Sequence, residues 1–132
     1  MTRPGKAIVM ILCVLSCLSV PQKPCYAANW LFVASSKQTG GMNYIDTDSI
    51  QIDKNRSNIK AWIKTTGSDG SEMVALFLFN YKERYYQGLK ITVYHLDGKS
   101  EMSDRVGKIN NITPGSVMEL IFNKLLEIKG LK

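Results

Sequence analysis

Cysteine is confined to the start of this 132-residue chain: Cys13, Cys17 and Cys25 are its only three, so nothing beyond Tyr26 can take part in a disulfide. Histidine is nearly missing too. His95 stands alone, and without a second histidine or a nearby cysteine it has no zinc-type ligand set. There is no glycine-rich loop of the kind that cradles phosphate, and no serine sits in a G-x-S-x-G elbow. Long apolar runs are also lacking. The longest, Ala7 to Val20, is interrupted by Ser16 and Ser19 and stops at Pro21, short of the ~20 apolar residues a membrane-crossing helix needs. These absences exclude a disulfide scaffold, a structural zinc site, a nucleotide-phosphate loop and a transmembrane span in the processed protein. No catalytic residue, metal or cofactor is assigned.

The opening segment has Arg3 and Lys6, then the apolar stretch, then Cys25-Tyr26-Ala27 with a small residue last. A basic start, a short apolar run and a small residue at the cut are the marks of a secretory signal. Cleavage is expected after Ala27, with 1–27 removed and 28–132 left as one domain. The competing cut precedes Cys17, because Val14-Leu15-Ser16-Cys17 loosely resembles a bacterial lipobox and would put a lipid on that cysteine. An exported chain of about 105 residues without disulfides must rely on burial alone, which suffices for one modest core. Of the 17 basic residues, Arg3, Lys6 and Lys23 leave with the signal while all 11 acids remain, so the net charge falls from +6 to +3. Mild basicity suits acidic surfaces. Export argues against nucleic acid as a partner, and no recognition motif for it is present.

The domain reads as strands followed by one helix. Strands are expected over Asn29–Ser35, Tyr44–Asp46, Ser49–Asp53, Asn58–Thr66, Met73–Tyr81, Arg84–His95 and Glu101–Ser103, separated by turns such as Asp69-Gly70 and Asp97-Gly98. In Asn58–Thr66, Ile59, Ala61, Ile63 and Thr65 point one way and Lys60, Trp62, Lys64 and Thr66 the other. Met73–Tyr81 is apolar on both faces, which predicts a central strand covered on both sides. Leu89, Ile91 and Val93 form the expected inward set of the next strand. Ser116 and Glu119 have capping-box spacing ahead of a helix from Val117 to Lys129. Its polar stripe is Glu119, Asn123 and Glu127, its apolar side holds Met118, Ile121, Phe122, Leu125 and Ile128, and Gly130 closes it. The predicted fold is α+β: an antiparallel sheet of about five to six strands with one C-terminal α-helix packed on it.

Three aspartates, Asp46, Asp48 and Asp53, crowd the run YIDTDSIQID. A calcium loop would need another oxygen ligand where Ile50 stands and a glycine after it. Aspartates in such a run close turns by accepting backbone amide hydrogen bonds, and that is the reading taken here. Lys60, Trp62 and Lys64 place an aromatic anchor between two cations on one strand face, a pattern suited to binding. Its plainer explanation is a helix packed on that face, or lysine stems lying over the indole. Lys82, Arg84, Tyr86, Lys90 and Tyr94 form a second basic and aromatic set, of which Arg84 and Tyr86 are added to the candidate ligand-binding residues.

Taken in order, Tyr44-Ile45-Asp46-Thr47-Asp48-Ser49-Ile50, Ala61-Trp62-Ile63-Lys64-Thr65, Lys82-Glu83-Arg84-Tyr85-Tyr86, Leu96-Asp97-Gly98-Lys99 and Ile112-Thr113-Pro114-Gly115-Ser116 resemble the bacterial surface-adhesin protein E family. The likeness spans nearly all of Trp30 to Ile128. It implies a small exported domain of antiparallel strands with a C-terminal helix, at the surface or in the periplasm of a Gram-negative bacterium. The function it implies is non-enzymatic binding to a protein or acidic glycan, laminin- or vitronectin-like. The family's paired cysteines are missing here, with Tyr81 at the first place and none near Leu126. The alternatives are a soluble periplasmic module for an envelope component and, from another class, a small hydrolase built around His95. Pairing of exposed sheet edges into a homodimer is also open. The intact mass of the chain recovered after export is expected to correspond to a first residue of Ala28. A mass starting at Cys17 and carrying acyl chains would replace it with the lipoprotein reading.

Overall fold

The computed structural model describes residues 28–131. The signal expected over 1–27, and with it the lipid-bearing Cys17 of the rival cut, lies outside the described residues. The elements are β1 (Trp30–Ser35), β2 (Met42–Asp46), β3 (Gln51–Asp53), β4 (Asn58–Thr66), β5 (Glu72–Asn80), β6 (Tyr85–Tyr94), β7 (Ser100–Ser103), β8 (Ile109–Asn111) and α1 (Val117–Ile128). The sheet is antiparallel throughout and six positions wide, in the order β1-β2-β4-β5-β6-β7. Two positions are split: β3 continues the β2 side of β4, and β8 continues the β7 side of β6. With α1 packed on one face, the fold is α+β. No helix among the described residues is long and apolar enough to cross a membrane.

One face of the sheet makes the core. Ile45 of β2, Ile59, Ala61 and Ile63 of β4, and Phe79 of β5 are buried in one cluster with Ile121, Phe122 and Leu125 of α1, and Ala75 of β5 is buried on the same face. Phe122 stacks on Phe79 with ring centroids 6.3 Å apart. Phe77 and Tyr86 extend the aromatic cluster at 6.0 to 6.3 Å. Helix termini are tied as the residues require. Ser116 Oγ accepts from the Glu119 amide at 3.2 Å, while the Glu119 carboxylate accepts from the Gly115 amide, one residue upstream of the expected capping-box partner. At the other end Gly130 takes φ 65 and the Leu131 amide bonds back to the Leu126 carbonyl at 2.9 Å. That is a Schellman closure, with Leu131 packed on the core as its apolar companion. Ile128, expected on the buried side, is 36% exposed because it lies past the edge of the contact.

Three expectations are corrected. First, β5 is central but covered on one face only. Val74, Leu76 and Leu78 point away from α1 and are half-buried, because among the described residues there is no second layer to lie over them. Second, Leu89 is not part of the inward set. Leu76 pairs Lys90 while Phe77 pairs Gly88, so Leu89 is the extra residue of a β-bulge. Third, β8 was not expected at all: Ile109, Asn110 and Asn111 are exposed and show no apolar alternation, and only their pairing with Tyr85–Gln87 makes them a strand.

The two hairpin turns that flank β4 and β5 at one end are built alike. Asp53 Oδ1 accepts from the amides of Asn55 and Arg56, and Asn80 Oδ1 accepts from those of Lys82 and Glu83. Each turn then closes through a residue at positive φ, Ser57 at 58 and Arg84 at 57. The turns are joined, since the Tyr81 amide bonds the Ser57 carbonyl and Asn80 Nδ2 bonds the Arg56 carbonyl.

Phe122→Ala is expected to destabilise the protein by about 3–5 kcal/mol in urea unfolding, since it removes the fully buried ring that seats α1. The exposed Phe32→Ala is expected to cost far less. Equal losses for the two would show that α1 does not close the core.

Candidate functional site

The acidic run that stood out in the sequence is a hinge between β2 and β3. Asp46 caps the 3-10 turn Thr47–Ser49, its Oδ1 accepting from the Asp48 amide at 3.2 Å and from the Asn29 amide at 3.1 Å. Ser49 Oγ donates to the Asp46 carbonyl at 2.7 Å and accepts from the Trp62 amide at 3.0 Å. The serine hydroxyl therefore fills the place in the β4 ladder that a carbonyl would hold if β2 ran straight into β3. Asp46 is 9% exposed, whereas Asp48 is open to solvent. Among the described residues no three His, Cys, Asp or Glu side chains gather as a metal cluster.

This hinge also positions aromatic groups. The Asn29 carbonyl accepts from the Thr47 amide at 3.0 Å and from Thr47 Oγ1 at 3.2 Å, so the segment leading into Trp30 is clamped to the turn. Trp30 pairs Asp46 across β1 and β2, and Trp62 alternates with the core residues Ala61 and Ile63 of β4, so it points to the uncovered face as Trp30 does. The two indoles therefore stand on one sheet face from strands two places apart, about 10 Å between backbones. They are the chain's only tryptophans.

The uncovered face is organised in cross-strand rows. One runs Phe32, Tyr44, Lys64, Val74, Thr92, Met102. Within it Phe32 meets Tyr44 edge to face at 5.6 Å, and Lys64 Nζ lies 4.8 Å from the Trp30 ring centroid and 4.9 Å from that of Tyr44. Beside this row a groove of about 520 Å³ opens between Trp30 and Trp62. Its floor is Val74 and Thr92, Lys90 and Tyr94 close it from β6, and the hinge residues Asp46, Asp48 and Ser49 form its other rim. A smaller hollow of about 200 Å³ further along the face holds Lys60, Leu78 and Arg56.

The structure thus brings together some of the residues singled out in the sequence and separates others. Trp62 and Lys64 adjoin the groove, and Lys60 lies on the same face in the neighbouring hollow. No helix packs on that face among the described residues, and the ammonium of Lys64 rests over Trp30 and Tyr44 rather than over Trp62. Arg84 and Tyr86 are elsewhere. The bulge at Leu89 reverses which side even-numbered residues of β6 face, so Lys90 and Tyr94 reach the groove while Tyr86 turns to the core. Arg84 lies with its guanidinium carbon 5.1 Å from the Phe122 ring centroid, and its Nη2 donates to Glu119 Oε2 at 3.4 Å, which ties it to α1. Trp30 and Thr92 were not singled out in the sequence, and Asp48, read there as a turn residue, also lines the groove. Trp30 is separated from Trp62 by 32 positions, and only the β1–β2–β4 pairing joins them. His95 is exposed at a hairpin with Nε2 3.7 Å from Glu101, and it is not among the residues of the groove. Comparison of the chain with family models, curated proteins and solved structures returned no match.

Asp46→Ala is expected to lower stability by roughly 1–2 kcal/mol, because two amides lose their acceptor, whereas Asp48→Ala stays within about 0.5 kcal/mol. Urea unfolding of both variants measures the difference. Equal effects would contradict the assignment of the cap to Asp46.

Proposed function

We propose that the protein is an exported, non-enzymatic binding domain that holds a macromolecular partner against the open face of its sheet, as the likeness to the surface-adhesin protein E family implies. The observation that carries this reading is that face itself: two tryptophans, a tyrosine pair and half-buried aliphatics, rimmed by Lys60, Lys64 and Lys90, with no layer over them among the described residues. Contiguous apolar surface rimmed by polar groups marks interaction sites, and aromatic anchors carry most of the affinity at such sites. The Lys64 ammonium lies over both rings, and this cation–π contact favours the arrangement of Trp30 and Tyr44 that a partner would meet. Arg84 and Tyr86 support this surface from beneath, through α1 and the core, and do not themselves belong to it.

The test is binding of the chain to laminin, vitronectin and heparin at physiological salt, beside a variant carrying Lys60→Ala, Trp62→Ala and Lys64→Ala. Saturable binding by the parent chain, weakened roughly tenfold or more in the variant, is expected, since an anchoring aromatic alone commonly contributes over 1 kcal/mol. Arg84→Ala should bind as the parent does. Binding that the triple variant retains in full would remove the open face from the function. Failure to bind any of the three would favour an envelope partner in the periplasm.

A further inference from the structure

We propose that the groove between Trp30 and Trp62 is a saccharide site whose ligand is an uncharged pyranose within a larger glycan; this rests on the open face being the binding surface and names the ligand class of its groove. The ligand chemistry follows from what the groove offers and what it lacks. It lies on a sheet face, where the backbone N–H and C=O groups are already spent in the ladders, so an extended peptide would find no main-chain partners there. An anion would meet the carboxylates of Asp46 and Asp48 on one rim. A cation would meet Lys90 on the other and would find the Trp30 and Tyr44 rings already holding the Lys64 ammonium. A ligand without charge remains.

The free polar groups narrow it further. Among the described residues, no hydrogen bond uses the Asp48 carboxylate, the Thr92 hydroxyl or the Tyr94 hydroxyl, although all three residues line the groove. They supply an acceptor and two groups that both donate and accept, and Lys90, paired with Asp104 at 3.6 Å, has further N–H donors to offer. The Trp62 indole and the side of Trp30 that Lys64 does not cover, with such a rim, match a ring that is apolar across its C–H face and edged with hydroxyls, each needing a donor and an acceptor. Small-ligand sites combine apolar and aromatic walls with a few placed polar groups in this way. Asp46 is a positioning residue here: its carboxylate is occupied by the Asn29 and Asp48 amides, and it holds Trp30 and the Asp48 rim in register.

Because the only two tryptophans both line the groove, indole fluorescence reports on this site alone. The full chain is titrated with neutral oligosaccharides of glucose, N-acetylglucosamine, galactose and mannose, and separately with heparin fragments of similar length. A saturable change in emission with at least one neutral sugar is expected, weakened roughly tenfold by Asp48→Ala through loss of a charge-assisted hydrogen bond and left unchanged by Arg84→Ala on the opposite face. Asp48 is exposed, so its variant should fold, and a denaturation curve verifies that. No change with any neutral sugar at millimolar concentration, a change with heparin fragments only, or full binding by Asp48→Ala would each overturn the assignment. If neutral sugars fail while laminin, vitronectin or heparin still binds in a manner sensitive to Lys60, Trp62 and Lys64, the ligand class is wrong and the open face stands. If both fail, the saccharide assignment and the laminin-, vitronectin- or heparin-binding reading both fall.

Discussion

Phe122 of α1 rests on Phe79 of β5 with centroids 6.3 Å apart, and both rings are fully buried. A single amphipathic helix can cover only one side of a sheet six positions wide. The side it covers takes Ile45, Ile59, Ala61 and Ile63 with it, because side chains on adjacent strands alternate in common register. The alternate residues of those strands then have to face the other way. They are Tyr44, Trp62, Lys64, Val74 and Leu76, and their mixture of aromatic, aliphatic and cationic groups is what gives that side its character.

Three local devices shape the open side. The bulge at Leu89 turns Lys90 and Tyr94 towards it and leaves Tyr86 with the core. The Asp46 hinge interrupts the strand beside β4, sets a polar rim at the end of the groove and clamps the segment before Trp30. Lys64 bridges the rings of Trp30 and Tyr44. Each device is short in sequence, and each changes which chemistry reaches the surface without changing the core. Arg84 shows the complementary case, a cation spent on α1, where its contact with Phe122 and its pair with Glu119 add a tie between the β5–β6 turn and the helix.

Much of the fold was legible because periodicity and caps are local. Asn58–Thr66 alternates so regularly that its two faces could be assigned residue by residue, and Ser116 with Gly130 marked the helix ends. The aspartate run could be read as a turn because Asp and Ser at that spacing have backbone amides within reach. What could not be read depends on pairing across the sheet. An apolar residue on a strand has the same appearance whether a layer covers it or an aromatic neighbour half covers it, so β5 looked doubly buried. A bulge is invisible until its partner strand is placed, so Arg84 and Tyr86 were grouped with residues they do not accompany. The groove itself joins Trp30, Asp48, Trp62 and Thr92, which no spacing rule connects.

The division of the sheet into a sealed face and an open one is tested most directly by hydroxyl-radical footprinting of the folded chain, read residue by residue by mass spectrometry. Trp30, Tyr44, Trp62 and Leu78 are expected to be modified readily, while Phe79, Phe122, Ile59 and Leu125 are protected until the protein unfolds. Equal protection of the two sets would mean that a second layer covers the tryptophan face, and the binding surface described here would not exist.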